Sequence, residues 1–368
     1  MSLLKKLSLP DFSLKSIFGG RSGRVAGIDI GSYSAKVVQL RNEGGRAILE
    51  TYGELETKGY FQKDEASGRN TFLFLSDNEI STLIADLVKE SGVAADSAVF
   101  GIPLATSFIT TFPFPRLSVK EIEQALPYEA RKYVPIPLSE VILDWDVFES
   151  PDVPDQVTVL LAAVPVQVVE KIKRIAEMAG IAVRAFEVES FSAIRAIAGE
   201  EDPVTAIIDM GHRSTSVIVA EKAVLRMSRN ITQGGQHITR ALERGLGVSE
   251  ERAEAIKREV GLSDKAEERE IASIITPFFS ALATEISRLV AIYNRKSSAK
   301  VQKIVLTGGA SNLKGAVDYV AANLALEVTR AHPFSRVVAP AFIMPMLREI
   351  GPNLATATGL ALHEMKRR

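Results

Sequence analysis

Two short stretches of this chain, 180 residues apart, repeat one pattern, and that repetition constrains the fold more than any other feature. The first is Gly27-Ile28-Asp29-Ile30-Gly31-Ser32-Tyr33-Ser34-Ala35-Lys36; the second is Ile207-Ile208-Asp209-Met210-Gly211-His212-Arg213-Ser214-Thr215-Ser216. Each reads as a buried strand ending in Asp, a Gly turn with small hydroxyl residues, and a second apolar strand, at 37–40 and 217–220. A hairpin tip of this kind presents backbone N–H groups to an anion, and its Asp can hold a hydrated Mg²⁺. One copy is weak evidence. Two copies suggest a duplicated fold that grips a nucleotide's phosphate tail from both sides.

Composition narrows the function classes. A chain of 368 residues is long enough for two or more subdomains with their own cores. Lys and Arg total 44 against 45 Asp and Glu, so no global field favours nucleic acid. Cysteine is absent, which excludes disulfides, zinc–thiolate sites and thiol nucleophiles. The four histidines, His212, His237, His332 and His363, lack metal-ligand spacing. No apolar run reaches the ~18–20 residues of a membrane span. The first 20 residues lack a signal-peptide apolar block and cleavage site. A cytoplasmic protein is expected. That leading segment mixes Leu3, Leu4, Leu7, Phe12 and Phe18 with Lys5, Lys6 and Lys15, and reads either as a mobile tail or as a weak basic, apolar foot on a membrane or partner.

Periodicity predicts the elements between. Residues 47–55 continue the first sheet, 59–70 form a loop, and 78–91 form a helix with Ile80, Leu83, Ile84 and Leu87 on one face. A core strand follows at 98–103. A compact strand–helix–strand–strand unit then spans 107–164, its helix opened by a Ser118/Glu121 capping box, kinked at Pro127, carrying Tyr133 on its apolar face and ended by Pro135 and Pro137. A helix at 168–180, a strand at 182–188 and a helix from 190 lead to the second Asp–Gly hairpin. Gly234-Gly235 precedes a helix to 246, Ser249 caps a helix over 250–260, and a long helix covers 276–293. A strand from 303 runs into Gly308-Gly309, and a small-residue helix covers 355–363.

Five patterns, in order along nearly the whole chain, resemble the actin, Hsp70 and sugar-kinase superfamily of ATP-binding folds. They are the two Asp–Gly hairpins, a connecting motif at Phe186-Glu187-Val188-Glu189-Ser190-Phe191-Ser192-Ala193, an adenosine motif at Leu306-Thr307-Gly308-Gly309-Ala310-Ser311, and a second connecting helix at Ala355-Thr356-Ala357-Thr358-Gly359-Leu360-Ala361. Within that superfamily the chain resembles the PilM-like type IV pilus assembly proteins, an FtsA-like branch. The 60-residue insertion at 105–164 matches the extra subdomain of that branch, and Arg131-Lys132-Tyr133-Val134-Pro135-Ile136-Pro137 with Leu143-Asp144-Trp145 is typical of PilM-like text. The resemblance implies an α/β class: a duplicated actin-like (ribonuclease H-like) ATPase fold with an inserted FtsA-type α+β subdomain. Its parts would be a flexible segment 1–23, a first half at 24–104 completed at 165–200, the insertion, and a second half at 201–368.

The resemblance also implies roles. Asp29 and Asp209 would orient Mg²⁺ and its waters. Gly31, Ser32 and Tyr33 would set N–H groups on the β- and γ-phosphates, with Lys36, seven residues after Asp29, as a point charge there. Gly211, Arg213, Ser214 and Thr215 would form the opposing loop, with Gly234 and Gly235 beside it. Gly308, Gly309 and Ala310 would let the backbone approach adenosine. Glu254 and Lys257 resemble a ribose and adenine pair, or stand as a plain i,i+3 ion pair. Glu189 matches a water-positioning acid, catalytic together with Asp209, or faces solvent at a strand end. His212 is bulky where relatives carry a small residue, and Trp145 reads as core of the insertion.

The implied function is a cytoplasmic ATP-binding scaffold, peripheral to the inner membrane, in a type IV pilus or related secretion or competence platform. It would bind the cytoplasmic N-terminal tail of a PilN-like membrane protein in a groove near the insertion, with membrane contact mainly through that partner, no nucleic acid, and homo-oligomerisation left open. Whether ATP is hydrolysed stays open. An FtsA-like polymerising ATPase is the alternative; residues 361–368 read as too short for an FtsA-type amphipathic anchor. A small-molecule kinase is the third reading, and the insertion argues against it.

Overall fold

The computed structural model describes residues 23–61, 75–149, 155–363 and 365. The expectations for residues 1–22, for the 62–70 part of the loop and for most of the chain end after 363 lie outside the described residues.

The first half opens as a meander of β1 (Arg24–Ile30), β2 (Ser34–Glu43) and β3 (Arg46–Glu56). Helix α1 (Asp77–Glu90) buries Ile80, Leu83, Ile84 and Leu87, the i, i+3, i+4, i+7 stripe of a core-facing helix. Gly92, just past its end, has φ of +63°, where a residue without Cβ is favoured. Strand β4 (Ser97–Ile102) then pairs with β1 in parallel. The chain next builds a separate sheet from β5 (Phe108–Pro115), α2 (Val119–Ala130), β6 (Val141–Glu149) and β7 (Gln156–Pro165), ordered β5-β7-β6 and wholly antiparallel. Its core contains Phe112, Leu126, Trp145 and Leu161. Helix α3 (Val166–Met178), strand β8 (Ala182–Val188) and helix α4 (Glu189–Ile197) return to the first sheet, whose order is β3-β2-β1-β4-β8.

The second half repeats that plan. It runs β9 (Thr205–Met210), β10 (Thr215–Glu221), β11 (Val224–Ile231), α5 (Gly235–Leu246), α6 (Glu250–Val260), α7 (Arg269–Lys296), β12 (Lys303–Thr307), α8 (Ala316–Leu324) and β13 (Glu327–Arg330). The sheet order is β11-β10-β9-β12-β13, position for position that of the first half. The antiparallel strand pair at the front of each sheet carries one Asp–Gly hairpin. After α9 (Met344–Ile350), helix α10 (Ala355–Ala361) packs back onto the first half. It approaches so closely that a Cβ on Gly27 would lie 2.2 Å from the Ala357 carbonyl, and one on Gly359 1.9 Å from that of Ser192 in α4. Arg195 of α4 donates to Glu187 of β8 at 2.6 Å and to the Gly359 carbonyl at 2.9 Å, tying the two connecting helices together.

Three expectations are corrected. Helix α2 ends at Ala130, five residues before Pro135. Tyr133 therefore leaves the helix, and its ring stacks on Phe112 at 4.4 Å. Helix α7 starts at Arg269 and runs through Pro277. It is thus long and apolar enough, by length and composition, to cross a membrane, with mean hydropathy 1.3 in its most apolar window. Its apolar side chains Phe279, Leu282, Ile286 and Leu289 instead fill the second half's core. Strand β11, helix α8 and strand β13 carry too short or too broken a period to read from sequence.

Candidate functional site

The two hairpins are built alike. In the first, Asp29 stands opposite Lys36 in the β1–β2 register and the Gly31 N–H donates to the Ser34 carbonyl at 3.1 Å. In the second, Asp209 stands opposite Ser216 and the Gly211 N–H donates to the Ser214 carbonyl at 3.0 Å. Both Asp residues thus sit at strand ends, on the sheet edge facing the cleft between halves. Ser32 is exposed at the first tip. Thr215 is fully buried and its hydroxyl donates to the Gln233 carbonyl at 2.8 Å, so its side chain braces the second loop rather than facing the cleft.

Three carboxylates share this cleft. Burial pushes the Asp29 carboxyl up, against the opposing charge of Lys36, whose Nζ lies 3.8 Å away. Burial also pushes Asp209 up to about 6, and the Asp29 charge adds to it. Glu189 is raised well above the ordinary range by burial and then by Asp29, with Asp209 contributing. It opens α4, and its Oε2 accepts the Leu104 N–H at 3.1 Å, so the solvent-facing alternative does not hold. Three carboxyls that resist ionisation around Lys36 make a setting in which a cation would favour their charged forms. Among the described residues no three Asp, Glu or His side chains are grouped so as to hold a metal ion directly. Two acids at the hairpin ends, Asp29 and Asp209, fit the one or two carboxylates by which Mg²⁺ is commonly held beside phosphates and retained waters.

Glycines let the second half close around this cleft. Gly308 has φ of +80°, and a Cβ there would lie 2.4 Å from Asp209 Oδ1. A Cβ on Gly234 would lie 2.6 Å from the Gly211 carbonyl. The next residues dock onto the second loop: the Gly235 N–H donates to the Gly211 carbonyl at 2.9 Å and the Gln236 N–H to the His212 carbonyl at 2.7 Å. Gly309 is exposed, while Ala310 is buried beside Gly235.

Glu254 and Lys257 of α6 are not a surface pair. Lys257 is buried and donates to Glu254 at 2.5 Å, to Thr239 Oγ1 at 3.0 Å and to the Gly235 carbonyl at 3.3 Å. Burial holds the Lys257 amine below its usual range, while Lys257's charge and the hydrogen bonds it receives hold Glu254 low despite burial. Arg213, half-buried on the second loop, is lowered by burial and by Arg240, and its Nε has no hydrogen-bond partner.

Sequence reading named Tyr33 and Glu254 but missed the residues that join them across the cleft mouth, Arg258, Glu56, Lys58 and Glu251. Tyr33 accepts from Arg258 at 2.7 Å and donates to Glu56 at 2.8 Å, and the Arg258 guanidinium lies 5.3 Å from the Tyr33 ring centre. Arg258 also donates to Glu254 at 3.0 Å. Lys58 pairs with Glu251 at 3.2 Å. Only Arg258's position one turn after Glu254 hinted at this.

A second feature lies beside the inserted sheet. The edge strands β5 and β11 touch where Thr111 Oγ1 donates to the Arg226 carbonyl at 3.4 Å, then part around a groove of about 320 Å³. Phe108, Ile109 and Thr110 form one wall, Ser228 to Asn230 the other, with Leu104 and Tyr133 also lining it. Ser228 is 5% exposed and its Oγ has no hydrogen-bond partner.

Comparison with known proteins completes the picture. Residues 27–365 match the family described as type IV pilus assembly protein PilM, and the chain belongs to that family. It is 27% identical over 190 residues to the cell division protein FtsA of Enterococcus hirae, a match covering 43% of this chain and 41% of that protein. It thus spans about two fifths of the length of the curated relatives it matches. The solved PilM–PilN type IV pilus biogenesis complex aligns with 93% of this chain and 99% of its own at a TM-score of 0.80 and 23% identity. MreB5 of Spiroplasma citri bound to ADP aligns with 93% of this chain and 96% of its own at a TM-score of 0.51 and 13% identity. These structures share the duplicated actin-like fold of this chain.

Proposed function

We propose that this PilM-family chain is a nucleotide-binding scaffold of a type IV pilus or related secretion or competence platform, which holds ATP in the cleft and the cytoplasmic tail of a PilN-like membrane protein in the β5–β11 groove. The observation that carries the first part is the pair of matching hairpins facing each other across three raised carboxylates and Lys36. Gly31, Ser32, Tyr33 and Lys36 on one side, and Gly211, Arg213 and Ser214 on the other, would hold the phosphates. Glu254, Lys257, Gly234, Gly235 and Gly308 to Ala310 would line the nucleoside. Asp29 and Asp209 would hold a hydrated Mg²⁺, which supplies charge neutralisation for the phosphates. Glu189, together with Asp209, would orient a water, and its raised carboxyl would suit proton transfer if hydrolysis occurs. The ADP-bound MreB5 of like fold supports a nucleotide in this cleft.

The groove supports the second part. Two strand edges facing a gap offer backbone donors and acceptors to an extended peptide, the mode of strand addition. Leu104, Ile109 and Tyr133 offer apolar contacts. The PilM–PilN complex, in which a like-folded chain is solved with PilN, supports that occupant. Recruitment by such a tail would place the chain at the cytoplasmic face of the inner membrane. The division into 24–104 with 165–200, 105–164 and 201–368 follows from the same reading, each part owning one sheet.

Titrating a synthetic PilN-like tail peptide into wild type and Ser228→Phe, whose ring would fill the groove, tests the assignment. Binding by wild type and at least a tenfold loss in the variant is the expected result. Equal binding by both would move the tail elsewhere. If ATP pellets the protein as filaments, the FtsA-like polymerising alternative gains instead.

A further inference from the structure

A hydrogen bond joins cleft and groove. Glu189 opens α4 and faces the cleft with Asp29, Asp209 and Lys36. Its Oε2 accepts the Leu104 N–H at 3.1 Å, across 85 residues of sequence. Leu104 begins the turn that leads from β4 into the inserted sheet, and both Leu104 and Ser107 line the groove.

That turn is a stiff unit. Pro103 fixes its entry at φ −58°. The Pro103 carbonyl accepts the Thr106 N–H at 3.0 Å and the Thr106 hydroxyl at 2.8 Å, and the Leu104 carbonyl accepts the Ser107 N–H at 3.0 Å. A shift of the Leu104 N–H therefore carries Ser107 and the start of β5 with it, and those residues form the groove wall. We infer that Glu189 is a positioning residue that couples the two sites: the demands of a cleft ligand on its carboxylate set the position of the Leu104 turn, and so the width of the groove between β5 and β11. This rests on the reading of cleft and groove given above. Coupling of this kind needs a different contact in each state, and the shared carboxylate supplies one. It is also reciprocal, so a tail in the groove must change nucleotide affinity by the same factor.

The test is a set of four affinities per protein, measured by calorimetry on the full chain. Tail peptide is titrated with and without Mg·AMPPNP, and Mg·AMPPNP with and without peptide, in wild type, Glu189→Gln and Glu189→Ala. A non-hydrolysed analogue removes turnover from the comparison. Wild type is expected to show about tenfold coupling, within the usual range of such effects. Glu189→Gln, whose amide oxygen still accepts the Leu104 N–H, keeps that factor. Glu189→Ala binds both ligands with the factor reduced to below about twofold. Unchanged coupling in Glu189→Ala, or two independent sites in wild type, overturns the inference while leaving the two sites standing. A wild type that binds neither ligand overturns the functional reading itself, and this inference with it. Should Glu189→Ala fail to fold, hydrogen exchange of the Leu104 amide in wild type decides: its rate must change when Mg·AMPPNP is added, and an unchanged rate refutes the link.

Discussion

Tyr33 and His212 meet across the cleft mouth, their ring centres 5.1 Å apart and tilted by 46°. The tips of the two hairpins therefore touch. Burial lowers the His212 imidazole to about 4, with the Lys257 charge adding to it, so the ring is neutral at neutral pH and packs as an aromatic surface. Arg258 then closes over Tyr33 from the second half. The halves are clasped at the mouth, and behind it α4 and α10 pack against each other.

Arg258→Ala should loosen the clasp without unfolding the chain. Its side chain is 55% exposed, so its ion pair and ring contact contribute only about 0.5–1 kcal/mol. That energy corresponds to about two- to fivefold faster release of a bound nucleotide. Stopped-flow release of a fluorescent ATP analogue checks this, and an unchanged rate would show that the clasp does not gate the cleft.

The raised carboxylates set a pH dependence. A carboxyl whose folded pKa lies above its unfolded value favours the fold at low pH, fully below the unfolded pKa, and loses that contribution as pH rises through the folded one. For Asp209 the window runs from 3.8 to about 6. Asp209→Asn should thus leave stability near pH 4 unchanged and raise it above pH 6, on the order of 1–3 kcal/mol. Denaturant midpoints across pH 4–8 in the absence of nucleotide read this directly. His212 acts with the opposite sign, its neutral form favouring the fold above pH 6.5 and that gain fading toward about 4.

Gly359→Ala should be severe. The added methyl carbon would sit 1.9 Å from the Ser192 carbonyl, where backbone must move rather than a flexible side chain. Overpacking at a helix crossing costs about 1–3 kcal/mol, more when the backbone is fixed on both sides. A chemical denaturation midpoint equal to wild type would mean that α10 can slide freely against α4.

Much of this was legible in the sequence because it is local. The Asp–Gly hairpins fold onto their own neighbours, and the expected capping box is present: Ser118 accepts the Glu121 N–H at 3.4 Å while Glu121 accepts the Ser118 N–H at 2.8 Å. Trp145 is 7% exposed in the inserted sheet's core, as its apolar setting implied. The clasp was not legible, since Tyr33 and Arg258 lie 225 residues apart and meet only when both sheets are in place. A groove near the insertion was expected, but its lining was hidden for the same reason, because β5 and β11 become neighbours through tertiary packing alone. Boundaries failed in two helices: Pro135 suggested the end of α2, yet α2 stops at Ala130, and α7, expected over 276–293, begins at Arg269 and runs through Pro277.

Calorimetric titration of Mg·ATP into wild type and the Asp29→Ala/Asp209→Ala double variant tests the central claim most directly. The account predicts one site per chain in wild type and at least a tenfold weaker affinity in the variant, with both proteins folded by circular dichroism. Equal heats in the two proteins, or none in wild type, would contradict it: the matched hairpins would then be architecture alone, and the cleft would hold no nucleotide.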